Sequence, residues 1–155
     1  KIQYFNTNRG GDITFHGYGQ IVGYPVIDLE NFYTDINRYL RTLEEIVIST
    51  LNFYKISSQR SSGETGVWLE PNSPNSRKIC AIGVKTSRWV TMHGFALNVD
   101  TDLRYYDYII PCGIRGKGIT SINKEVKKIV SINEVKEKLL ENLKKTFHAN
   151  LIYSI

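Results

Sequence analysis

Apolar residues recur at steps of three and four between about Asn31 and Tyr54: Ile36, Leu40, Leu43, Val47 and Leu51. That spacing predicts one apolar stripe along a long helix, with Arg38, Arg41, Glu44 and Glu45 mostly off it. A second helix follows Ser131-Ile132-Asn133-Glu134, which reads as a capping box, and carries Val135, Leu139, Leu143 and Phe147. Elsewhere the pattern is that of strands. Arg9 to His16 reads as a loop entering a strand, Gly17-Tyr18-Gly19 as a turn, and Gln20 to Leu29 as a second strand. Ser57 to Ser62 is a polar connection and Gly66 to Leu69 a short strand. Glu70 to Ser76, with two prolines and two asparagines, is a loop. Lys78 to Lys85 and Trp89 to Met92 read as strands joined at Ser87-Arg88, and Phe95 to Val99 as a further strand. Asp102 to Tyr106 reads as one helical turn capped by Thr101 or Asp102. Strands, long helix, strands, helix: this order predicts an α+β domain, a mixed and largely antiparallel sheet covered by helices on one side.

The length of 155 residues suits one domain, residues 1–155, with its own core. Its 41% hydrophobic and 23% charged residues are those of a soluble globular chain. No apolar run approaches the ~20 residues that span a bilayer. Lys1-Ile2-Gln3-Tyr4-Phe5-Asn6 lacks the apolar region of a signal peptide, so a cytoplasmic location is expected. The net charge of +5 includes one dense group, Lys124, Lys127, Lys128, Lys136, Lys138, Lys144 and Lys145. Lysines on a helix face are ordinarily a solvated surface. A mildly basic surface suits an acidic protein partner better than nucleic acid. Two cysteines, Cys80 and Cys112, are too few for a disulfide framework and fit no zinc motif.

Cys112 sits between Pro111 and Gly113 after an apolar run, at a point where the chain must turn. Lys78 opens another strand-like run. Taken alone, Cys112 reads as a small buried residue. Brought beside a lysine, it becomes a nucleophile with an activating charge. The glycines of Arg9-Gly10-Gly11, His16-Gly17-Tyr18-Gly19 and His93-Gly94-Phe95-Ala96 allow close backbone approach to a ligand, though each segment also fits an ordinary turn. His16 and His93 lack a third partner at a ligand spacing, so they read as hydrogen-bonded structural residues and no metal site is expected.

These words occur in a recognisable order. Arg9-Gly10-Gly11-Asp12-Ile13-Thr14-Phe15-His16-Gly17 precedes Gly19-Gln20-Ile21-Val22-Gly23-Tyr24-Pro25. Thr65-Gly66-Val67-Trp68, Lys78 to Lys85, Trp89 to Val99, Pro111-Cys112-Gly113-Ile114 and Gly118 to Ile122 follow. From about Arg9 to Ile122 the chain resembles the lipoyl(octanoyl) transferases, of the biotin/lipoate protein ligase fold. The resemblance implies transfer of an octanoyl or lipoyl group from acyl carrier protein, through a thioester on Cys112, to a lysine of a lipoyl domain. Acceptors in this family are lipoyl domains of 2-oxoacid dehydrogenase complexes and the glycine cleavage H protein. It implies Cys112 as nucleophile and Lys78 as the residue that lowers its pKa. It further implies an acyl pocket lined by Arg9, Gly10, Gly11, Asp12, Ile13, Thr14, Phe15, His16, Ala81, Ile82, Gly83, Gly94, Phe95 and Ala96, with no cofactor. Val22, Tyr24 and Leu97, with Ile82 and Phe95, are candidates for the pocket walls and fit ordinary core positions equally well, and Cys80 is expected to be a buried strand residue.

The chain departs from the family pattern at Tyr18, where proline is usual, and at its start, where the family's N-terminal segment is expected and does not precede Arg9-Gly10-Gly11. Three alternatives stand beside this reading. One is an ATP-dependent lipoate or biotin protein ligase, which needs no cysteine nucleophile. Another is an amidotransferase moving octanoyl between lipoyl proteins, and the third is a non-catalytic acyl-binding module.

Overall fold

The computed structural model describes residues 3–109 and 116–152. Six strands form one mixed sheet: β1 (Gln20–Gly23), β2 (Gln59–Ser61), β3 (Glu64–Leu69), β4 (Arg77–Ser87), β5 (Val90–Asn98) and β6 (Gly118–Ile119). The main path runs β1-β5-β4-β3-β2, all antiparallel, and β6 joins β4 in parallel. Helix α1 (Ile36–Phe53) lies against β3, β4 and β5, a short α2 (Ile122–Val126) follows β6, and α3 (Ile132–Phe147) packs on α1. No helix among the described residues is long and apolar enough to cross a membrane.

Helix α1 begins where Asp35 accepts a hydrogen bond from the Arg38 amide, satisfying one orphan donor of the first turn. Leu43, Val47 and Leu51 of the expected stripe are fully buried, joined by Tyr39 and Ile46. Glu44, expected off the stripe, is also fully buried. Its carboxylate receives Arg41 at 2.7 Å, Arg60 at 3.1 Å and the Gly66 amide at 3.1 Å. Those partners replace its lost hydration.

Several expected elements take a different form. Residues Ile13 to His16 form no strand, and the strand expected over Gln20–Leu29 stops at Gly23. The polar connection contributes an edge strand, β2. The two strands expected over Trp89–Val99 are one, β5, which continues through left-handed His93 (φ 62°). Ser131 caps α3 without a side-chain bond, so the capping box does not form; Glu134 instead accepts the Tyr54 hydroxyl at 3.2 Å.

The segment after the undescribed residues 110–115 is fastened to the start of β4. Gly118 and Ile119 pair with Arg77 and Lys78, and the Thr120 amide donates to the Lys78 carbonyl at 2.9 Å. Arg77 grips both carboxylate oxygens of Glu125, at 2.7 and 2.8 Å. The Arg77 hydrogen bonds, helped by Thr120 and opposed by burial, hold the Glu125 carboxyl below its ordinary value of 4.5. A carboxyl lowered by folding contributes stability above its ordinary value and loses it as pH falls through the lowered one. The stability gap between wild type and Glu125→Gln is therefore expected to stay constant above about pH 5 and to shrink toward acid. Urea unfolding at a series of pH values measures this; a gap independent of pH refutes it.

Candidate functional site

A one-residue irregularity in the sheet decides where Lys78 points. Across β3 and β4, Val67 pairs with Cys80 but Trp68 pairs with Lys78, so Ile79 is an extra residue on β4. A bulge of this kind re-aims the side chains beyond it. Cys80, Ile82 and Val84 lie in the helix-covered core with Val67. Strict alternation places Lys78 with them. The bulge turns it to the other face, beside Trp68, where a cleft opens.

The cleft has a volume of about 250 Å³. Ala81 and Gly83 of β4, register partners of Ala96 and Gly94 on β5, give it a floor of small residues. Arg9, Gly11, Asp12, Thr14 and His16 border it from the N-terminal segment, with Tyr24, Gly63, Glu64 and Thr65 at the rim. Ile82 and Phe95 belong to the core and also border the cleft. The volume falls below the ~300–1,000 Å³ of drug-sized pockets, which favours a slim ligand.

The N-terminal segment reaches the floor because Gly83 has no side chain. A Cβ there would collide with the Gly10 carbonyl, and the Gly10 amide donates to the Val84 carbonyl at 3.1 Å. His16 is held through its Nδ1, 2.8 Å from Gln20 Oε1. Gln20 in turn donates to Asn98 Oδ1 and to the Tyr106 hydroxyl, and Asn98 donates to the Thr120 carbonyl. A run of polar groups thus joins one wall of the cleft to the segment paired with Lys78. His93 contacts Asn8 at 3.2 Å.

Lys78 is 5% exposed, and its ammonium lies 4.6 Å from the centre of the Trp68 ring. Its stem passes over Gly66, whose φ of 122° suits glycine and whose absent Cβ would touch Lys78 Cδ and Cε. Among the described residues, no hydrogen bond or ion pair satisfies this ammonium. The stem is buried while the ammonium faces the cleft, where its free donors can meet a ligand. Cys112 lies outside the described residues. Cys80 is buried, and burial pushes its thiol well above the ordinary value despite the Lys78 charge, so it is inert.

Twelve of the residues expected at the pocket or as its activating lysine border this one cleft, in addition to Tyr24: Arg9, Gly11, Asp12, Thr14, His16, Lys78, Ala81, Gly83, Gly94 and Ala96, with Ile82 and Phe95 doing so from the core. Gly10, Ile13 and Phe15 belong to the bordering segment but do not line the cleft; Phe15 stacks on Tyr105 at 4.9 Å. Of the other wall candidates, Leu97 is fully buried in the core and Val22 is exposed. Glu64 escaped the sequence reading, although it directly precedes Thr65-Gly66-Val67-Trp68.

The chain is similar to known proteins in sequence and in fold. The chain is 61% identical to an octanoyltransferase of Christiangramia forsetii over 97% of its length, and 62% identical to one of Flavobacterium johnsoniae over 96%. It spans just under two thirds of those relatives, 64% and 65%. Among solved structures, a lipoate-protein ligase A bound with ATP aligns with a TM-score of 0.67 at 18% identity, over 94% of this chain and 59% of that one. A bipartite lipoate protein ligase from Thermoplasma acidophilum aligns with a TM-score of 0.65 at 20% identity, covering 94% of this chain and 58% of the ligase. These two likenesses fix the fold. A family profile described as the lipoyl protein ligase A/B catalytic domain matches residues 1–144, and the chain belongs to that family.

Proposed function

We propose that the protein is an octanoyltransferase: it takes an octanoyl or lipoyl group from acyl carrier protein onto Cys112 and passes it to a lysine of a lipoyl domain. The observation that carries this reading is the Lys78 ammonium, unpaired among the described residues, facing a narrow cleft floored by small residues. The names of the relatives at 61% and 62% identity point the same way. Acceptors are the lipoyl domains of 2-oxoacid dehydrogenase complexes and the glycine cleavage H protein, and the reaction belongs to the cytoplasm.

In the first half-reaction the Cys112 thiolate attacks the donor thioester carbonyl. The new C–S bond forms, the old one breaks, and the carrier thiolate leaves and takes a proton. In the second, the neutral acceptor amine attacks the enzyme thioester. An amide forms, the Cys112 thiolate departs, and the amine gives up a proton. A thiol has an ordinary pKa of about 8.5, so a cation at Lys78 favours the reactive anion. Alternatively Lys78 itself carries the proton between thiol and amine. Backbone N–H groups around Gly94 or Cys112-Gly113 are the candidate oxyanion donors.

Intact mass of the full-length protein after incubation with octanoyl-acyl carrier protein, without ATP, tests this. Wild type is expected to gain one octanoyl group that hydroxylamine removes, and Cys112→Ala to gain none. An adduct that persists in Cys112→Ala, or no adduct on folded wild type, overturns the reading. ATP-dependent acylation of a lipoyl domain by Cys112→Ala would replace it with a ligase.

A further inference from the structure

Trp68 carries two ammonium groups, not one. Lys117 lies 4.8 Å from the same ring centre that Lys78 approaches at 4.6 Å. The two cations are therefore closer than the ~10 Å over which salt screens a charge. The Trp68 ring between them is 1% exposed. Lys117 is not a bare charge: it donates to Glu64 Oε2 at 2.6 Å, and Ser61 donates to the same oxygen at 2.6 Å. Glu64 borders the cleft beside Lys78.

We propose that the Glu64–Lys117 pair sets the charge state of Lys78, with Glu64 and Lys117 acting as positioning residues through the shared Trp68 ring. The pair is neutral as a whole, but its two halves act on Lys78 in opposite directions. Lys117 alone would repel the Lys78 ammonium and favour its free amine. Glu64 alone would attract the ammonium and hold it charged. Burial opposes ionisation of Glu64, but hydrogen bonds from Lys117 and Ser61, with the charges of Lys117 and Lys78, carry its carboxyl below the ordinary value. Glu64 is thus an anion at working pH. Other charged or titratable groups near Lys78 are Glu44 on α1, whose charge is met by Arg41 and Arg60, the buried Cys80 thiol, and Arg9, Asp12 and His16 around the cleft.

This inference rests on the reading of Lys78 as the proton-handling group. Its test does not rest on activity. In the full-length protein carrying 13C-labelled lysine, the Lys78 Cε resonance is assigned by its loss in Lys78→Arg and followed against pH by NMR. In Glu64→Gln the Lys78 midpoint is expected to fall by about one pH unit, and in Lys117→Met to rise by about one. A midpoint that stays in place, or moves the other way, in either variant overturns the proposal. Should one variant fail to fold, the other decides by its sign. If acyl transfer proves independent of Lys78, the functional reading fails, and these titrations still stand or fall alone.

Discussion

Lys78→Ala is expected to slow thioester formation from octanoyl-acyl carrier protein by about 10²–10⁴-fold, the range typical for loss of a group that moves a proton in the transition state. Quenched time points read by intact mass measure it. A fold effect cannot produce the companion result. Lys78 is 5% exposed with no hydrogen-bond or ion-pair partner among the described residues, and the Trp68 face and the Glu64 charge offset its burial only in part. Replacing such a cation with an apolar side chain of similar length relieves desolvation. Lys78→Met is therefore expected to lose activity while gaining on the order of 1 kcal/mol of stability. Thermal unfolding beside the rate assay separates the roles. A variant that loses both assigns Lys78 to the scaffold, and one that keeps its rate removes Lys78 from the chemistry.

Glu44→Ala is expected to destabilise the protein by about 3 kcal/mol. Glu44 is fully buried, while its partners Arg41 and Arg60 are 52% and 38% exposed and can turn to water. The cost falls instead on the Gly66 amide, which loses a charged acceptor at 3.1 Å, and on the space the carboxylate leaves. Gly66 supports the Lys78 stem, so activity should fall with stability. Glu44→Gln keeps an acceptor for Gly66 and should lie between. Urea titrations give the magnitude; a loss within 0.5 kcal/mol, as at an ordinary surface site, refutes the account.

Glu44 also shows where sequence reading runs out. Helix α1 was legible because a 3.6-residue period needs no tertiary knowledge, and its core-facing Leu43, Val47 and Leu51 are buried as the period requires. A glutamate is buried only when distant partners meet it, here Arg60 and Gly66, and no local pattern announces them. The same holds for β2, β6 and α2, which are too short to show a period and exist through pairing and capping. The cleft was legible through the family resemblance, since its glycine segments alone also fit ordinary turns. The extra residue at Ile79 was not. It depends on how β3 and β4 slide past one another, and it alone separates the face of Lys78 from the face of Cys80. Lys117 was hidden for a similar reason, since only folding carries it to Trp68.

The order of the sheet also sets a schedule for synthesis. β1 has one neighbour, β5, and Gln20 meets Asn98 across a separation of 78 residues. The β4–β5 hairpin closes locally, but β1 leaves the ribosome long before its partner exists. At ~5–20 residues per second, the nascent chain carries an unpaired strand for roughly 4–16 seconds. Ile21, buried in the finished sheet, stays uncovered throughout that wait. The first of the described strands thus waits for the fifth, and the interval in which a chaperone can act is written into the connectivity.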